Sequence, residues 1–211
     1  MPQEDRTSKH SRKSGSSSHR SGRMSLPEYR RVSDDFYGGY METARKDTTL
    51  YVRVLGLGSL SSGAPLRNLI KDCLADGCDE FIFDLSSCQG MDSTFMGILA
   101  GLSLDLHEGD GGMVMLLGMS DYNRHLLVQL GVLELLDEGD AELPSDLEWV
   151  RLDPSAASAL DRAKSAYEAH NRLIHIKPEN RQRFADFLVR LGHDLFPFLR
   201  GDEHKKKPEE E

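Results

Sequence analysis

Two hydroxyl side chains, Ser93 and Thr94, stand next to each other directly after an acid, Asp92. Such a pair can accept a phosphoryl group or, beside a base, act as a nucleophile. Asp92 is a residue type that caps helix N-termini, which places the hydroxyls in a first helical turn. That turn exposes unpaired N–H groups and the positive end of the helix dipole. A phosphate of about −1.5 to −2 charge is tolerated there without unfolding the helix. It would nonetheless put a hydrated double charge on any surface meant to dock, and removing its water is costly unless the partner supplies cations. One modification at this point can switch binding and leave the fold intact. The simpler reading is an N-cap followed by two ordinary polar residues.

Other chemistry is less well supported. Cys73, Cys78 and Cys88 match no CxxC spacing and are odd in number, and Cys73, on an apolar helical face, is expected as a buried thiol. His170, His175 and His193 fall in a helical stretch without HExxH spacing, which predicts surface or half-buried imidazoles and no metal. Asp105, Glu108 and Asp110 read as the solvent face and C-terminal loop of one helix. The glycine-rich GLGSLSSG at 56–63 lacks the GK[ST] ending of a phosphate loop. Met91, Met96, Met113, Met115 and Met119 suit core packing, and also adaptable docking surfaces. No GxSxG elbow is present and no base–nucleophile pair can be read. Neither a catalytic residue nor a cofactor is expected, and the chain is not expected to be an enzyme.

The elements that would hold Asp92, Ser93 and Thr94 follow from periodicity. Residues 38–57 read as a hairpin turning at 46–48, its second arm carrying LYVRVL. A helix is predicted from Pro65, with Leu66, Leu69, Ile70, Cys73 and Leu74 on one face and Gly77 after its end. EFIFDL at 80–85 is a strand buried on both faces, followed by a six-residue loop and a helix from 92 to about 107. MVMLL at 113–117 is another buried strand, and Ser120 caps a helix that Gly131 stops. Residues 148–152 suggest a short edge strand. Beyond Pro154 the period turns helical, with Ala156, Ala159, Leu160, Ala163, Tyr167 and His170 on one face, then Phe184, Phe187, Leu188 and Leu191 on the next helix. Strand and helix alternate as in an α/β layer with crossover helices.

These readings divide the 211 residues into four parts. Residues 1–35 form a Ser/Arg-rich tail whose composition predicts disorder. An α/β domain spans 36–141, a C-terminal extension with a helical hairpin spans 142–200, and 201–211 is a charged tail. Residues 1–46 hold 10 Lys and Arg against 6 Asp and Glu, whereas 47–211 hold 16 against 29. Phosphate-backbone binding relies on clustered cations, so the acidic folded part is not expected to bind nucleic acid directly. No apolar run approaches the roughly 18 residues of a membrane span. The N-terminus shows no apolar signal region, so a cytoplasmic location is expected.

The stretch DLSSCQGMDSTFMGIL resembles the STAS family, whose bacterial anti-sigma-factor antagonists carry a strand ending in Asp-Leu-Ser, a short loop, and Asp-Ser-Ser-Gly-Leu-Gly opening a helix. Asp84, Leu85, Ser86, Asp92, Ser93, Thr94, Gly97 and Leu99 stand at the matching places. The segment from Leu55-Gly56 to Leu60 resembles the family's Gly-x-Leu turn, and SDYNRHLLVQLGVLELL its late helix and Leu-Gly-Leu segment. The resemblance covers about residues 38–140. It implies a STAS-like mixed sheet with crossover helices on one face, here followed by a helical hairpin outside the family core. It also implies a phosphoacceptor at Thr94, the second hydroxyl, with Ser93 as the alternative, and docking residues Asp84, Asp92, Phe95 and Gly97. Phe95 replaces a small glycine, which bears on kinase access, and Thr94 replaces serine. The implied partner is an anti-sigma factor of the serine-kinase type, docked when the hydroxyls are unmodified. The alternative is a STAS scaffold or an accessory subunit of a multi-protein or transporter complex; the hairpin at 154–199 is expected either to pack on the domain or to serve self-association.

Overall fold

The computed structural model describes residues 38–109 and 111–199. The two expected tails and Asp110 lie outside the described residues. The strands are β1 (Tyr40–Lys46), β2 (Thr49–Gly58), β3 (Glu80–Asp84), β4 (Cys88–Met91), β5 (Met113–Leu117), β6 (Asp137–Gly139) and β7 (Val150–Arg151). The α-helices are α1 (Leu60–Ala75), α2 (Ser93–Glu108), α3 (Asp121–Leu130), α4 (Ala159–Ile176) and α5 (Pro178–Leu199). The mixed sheet runs β6-β5-β3-β2-β1-β7, with β4 paired to the end of β2. β1 is antiparallel to β2 and β7 antiparallel to β1; the remaining pairs are parallel.

Alternation along the strands explains the layers, because successive side chains point to opposite faces. Val52 and Val54, Phe81 and Phe83, and Val114 and Leu116 share one face and meet Leu66 and Ile70 of α1, Phe95 and Leu99 of α2, and Leu127 of α3 in one core. The crossover helices therefore cover a single face, as expected. Ser120 accepts a hydrogen bond from the Asn123 N–H, and Gly131 takes a left-handed φ of 73° at the end of α3, where a side chain would be strained.

Three elements differ from expectation. Helix α1 begins at Leu60, so Pro65 lies inside it rather than at its first position. Lacking an N–H, Pro65 forgoes one helical bond there. Residues 88–91 form a strand instead of loop, because the glycine-punctuated end of β2 offers open backbone groups to pair with. β6 is a short strand at one sheet edge.

The extension takes an unexpected path. β6 and β7 lie at opposite edges of the sheet, so residues 140–149 must run from one edge to the other. They do so over the face away from the helices: the Arg53 guanidinium, alternating with inward Val52 and Val54, stacks 4.0 Å from the Trp149 ring centroid. Asp146 pairs with Lys46 at 2.7 Å. The chain then returns to the helical side, where α4 lies across α1 and α2 and α5 packs mainly on α4. The buried face of α4 is Ser165, Ala166, Ala169, His170 and Leu173, about a quarter-turn from the face predicted. No described helix is long and apolar enough to cross a membrane.

Candidate functional site

The site is the amino-terminal turn of α2, at the C-terminal end of the parallel strands. Its backbone is fixed by the segment before it: the Asp92 N–H donates to the Gly58 carbonyl at 2.9 Å, and the Gly56 N–H donates to the Ser87 carbonyl at 3.0 Å. The glycine-rich 56–63 stretch thus supplies a strand end and a helix start.

Asp92 caps two helices at once. One carboxylate oxygen accepts from the Phe95 N–H at 2.9 Å, as an N-cap should. The other accepts from the Leu60 N–H, the first residue of α1, at 2.8 Å. A single exposed carboxylate ties the two positive helix ends together. Asp84, at the end of β3, accepts from the Ser86 N–H at 3.0 Å and from Arg53 Nε at 3.3 Å. Burial opposes its ionisation, but the Ser86 hydroxyl and N–H and the Arg53 guanidinium outweigh this and hold its carboxyl below the usual range.

The two hydroxyls differ. Ser93 is half-buried and its Oγ lies 2.9 Å from His170 Nε2 on α4. His170 Nδ1 lies 2.7 Å from the Ala166 carbonyl, which can only accept. In the neutral imidazole Nδ1 therefore donates, Nε2 accepts, and the Ser93 hydroxyl donates to it. Burial favours that neutral form, pushing the imidazole pKa below its ordinary value against the opposing Ala166 hydrogen bond and the Asp92 charge. The ring is 5% exposed and held against Phe184 and Phe187, with centroids at 4.8 and 4.5 Å. Thr94 is 5% exposed.

The remaining motif residues have structural partners. Phe95 is 0% exposed and makes an edge-on contact with Phe83, with centroids at 6.4 Å. Gly58 leaves room for its ring, since a Cβ there would come within 2.7 Å of it. Phe95 therefore meets the core, and a partner would meet only the surface it supports. Gly97 abuts α4: a Cβ on it would lie 2.6 Å from the Ala169 carbonyl oxygen. Ser93, Gly97, Gly101 and Asp105 form one stripe at four-residue spacing. They face His170, Ala169, Arg172 and again Arg172, the last as an ion pair.

Three parts of the site had not been identified from sequence: His170 as the partner of Ser93, the Leu60 N–H as a second ligand of Asp92, and α4 as the cover of the stripe. The small residues at 93, 97 and 101 are the signal that could have found the last, because such spacing permits close helix approach. A Ser–His pair is thus present where none was readable. Among the described residues no group of three or more His, Cys, Asp or Glu could hold a metal ion. The three cysteines are free and buried.

No family model matches the sequence, and no curated protein matches it. Solved structures similar to it include the anti-sigma factor antagonist SpoIIAA in its unphosphorylated form, at 21% identity and a TM-score of 0.41, covering 49% of this chain and 89% of that one. The Bacillus cell fate determinant SpoIIAA in the phosphorylated form is similar at 19% identity and a TM-score of 0.40, covering 47% of this chain and 90% of that one.

Proposed function

We propose that this chain is a regulatory docking module of the anti-sigma-factor-antagonist type, acting in the cytoplasm on an anti-sigma factor that is also an ATP-using serine kinase. Phosphorylation of Ser93 or Thr94 switches docking off. The observation that carries this reading is the placing of both hydroxyls in the first turn of α2, with Asp92 fixing that turn to α1. The positive end of α2 tolerates a phosphate there, and the added charge opposes docking across the same surface. Ser93 is the better placed of the two in the conformation described, since it is less buried than Thr94. Incubation with the host's anti-sigma kinase and ATP should add one phosphate, mapped by mass spectrometry to Ser93 or Thr94. Ser93→Asp and Thr94→Asp should be tested for loss of capture by that kinase; full binding by both rejects the switch.

A specific observation favours a second reading, the scaffold or accessory subunit. The α2 stripe is already covered by α4, and Thr94 is buried. In that case the hairpin carries the partner contacts, and substitutions at 93 and 94 leave assembly unchanged.

A further inference from the structure

We infer that α4 is a displaceable resident occupant of the docking face: the hairpin competes in cis with any external partner, and must lift from α2 before Ser93 and Thr94 can be reached. This rests on the proposed function only in taking the first turn of α2 as the docking face.

The way α4 is seated supports displacement. Its buried side chains are mostly small, Ser165, Ala166 and Ala169, with Ala169 laid on Gly97; His170 and the aliphatic Leu173 are the large ones among them. Small residues bury little apolar area each, so the contact is close but lightly held. The remaining ties are polar: Ser93 with His170, Asp105 with Arg172, Arg67 with Glu168, Lys177 Nζ with the Val128 carbonyl, and a buried one from Asn180 Nδ2 to the Leu130 carbonyl. The Asp105–Arg172 and Lys177 ties are exposed and exchange for water at small net cost. Of the larger apolar side chains, Leu173 and Phe184 join the domain core, with Ile174 and Ile176 packed against it. Phe184, Leu188 and Leu195 of α5 are buried, and α5 packs mainly on α4. The two helices can therefore leave as one folded unit. The non-helical residues 157–158 between the preceding 3-10 turn and α4 provide a pivot.

The geometry also provides a pin. A Cβ at position 101 would lie 3.6 Å from Arg172 Cγ, which brings Gly101→Cys and Arg172→Cys within reach of a disulfide. The test uses the full chain carrying Ser93→Cys, with and without that oxidised pin, and a polyethylene-glycol maleimide as a bulky thiol probe. Cys73, Cys78 and Cys88 are buried and give a slow background. Labelling of position 93 should proceed in the unpinned protein and fall at least about tenfold when pinned, as expected for access through sub-global opening. Equal labelling in both, or none in either, overturns the inference. Hydrogen exchange of the unmodified chain is the second measurement: amides of 159–176 should exchange about tenfold or more faster than those of 94–106. Equal protection overturns it as well. No partner enters either experiment. Loss of gating therefore leaves the docking reading standing, whereas failure of the kinase experiment leaves the cover standing.

Discussion

Asp92 and Leu60 lie 32 residues apart, yet the carboxylate of one accepts the first N–H of the helix that the other begins, at 2.8 Å. With its second oxygen on the Phe95 N–H, Asp92 joins two helix ends that face the same surface. Asp92→Ala should destabilise by about 1–2 kcal/mol, since each lost cap is worth roughly 1 kcal/mol and water can reach the vacated groups at this exposed position. Asp92→Asn should lose about half as much, because an amide keeps one acceptor oxygen. Urea denaturation of both variants checks the ranking; a neutral Asp92→Ala would refute the double cap.

Gly97 offers a test in which two effects oppose. Alanine in a helix interior gains up to about 1 kcal/mol over glycine. Here its Cβ would meet the Ala169 carbonyl oxygen at 2.6 Å and the Ala169 Cβ at 2.8 Å. Backbone cannot yield as a flexible side chain does, so overpacking of about 1–3 kcal/mol should dominate. Gly97→Ala is expected to be less stable than the parent, with faster amide exchange confined to the hairpin. A rise in melting temperature would show that α4 can shift freely.

Much of this was legible in the sequence, for reasons visible in particular residues. EFIFDL and MVMLL are apolar runs bounded by turns, and they are the central strands. Ser120 and Gly131 bracket α3 because each meets a local backbone demand, a free N–H and a left-handed φ. What escaped was non-local. Residues 88–91 carry no strand pattern and pair only because β2 ends in unpartnered backbone groups. Ser93 and His170 lie 77 residues apart on separate helices, and no periodicity links them. Pro65 suits a first helical position, but Ser59 caps α1 so that it starts at Leu60, whose N–H Asp92 accepts. The strap at 140–149 has no regular structure of its own, and the sheet order reveals it.

That strap carries the chain's one tryptophan. Arg53 holds it, reaching Asp84 at 3.3 Å and Glu42 at 3.5 Å while stacking on Trp149. Arg53→Ala removes a cation–π contact worth about 0.5–1 kcal/mol at an exposed site. It also removes two ion pairs at the edge of water, worth roughly 0–1 kcal/mol each. The expected outcome is a loss of about 1–2 kcal/mol in denaturation and a red shift of tryptophan emission as the ring is released. Arg53→Lys should restore little of the emission, because an ammonium does not stack as a planar guanidinium does. Unchanged emission in Arg53→Ala would mean that the strap is held elsewhere.

The last prediction concerns pH and follows from the imidazole beneath the hairpin. Burial lowers the His170 pKa in the folded protein, so the unfolded chain binds this proton more readily. Stability from the neutral ring is complete above the unfolded value of about 6.5. It is lost as pH falls below that value towards the folded pKa, and no further loss arises from this group once both states are protonated. In molecular terms, a charged ring would sit between Phe184 and Phe187 with little water to solvate it. Melting temperature should therefore drop on acidification through that window, and the drop should shrink in His170→Gln, which carries no titrating group. Ser93→Ala separates the hydrogen bond from the burial: it should lower stability at neutral pH yet keep the acid slope. If His170→Gln retains the full slope, another group titrates there and the buried imidazole is not its source.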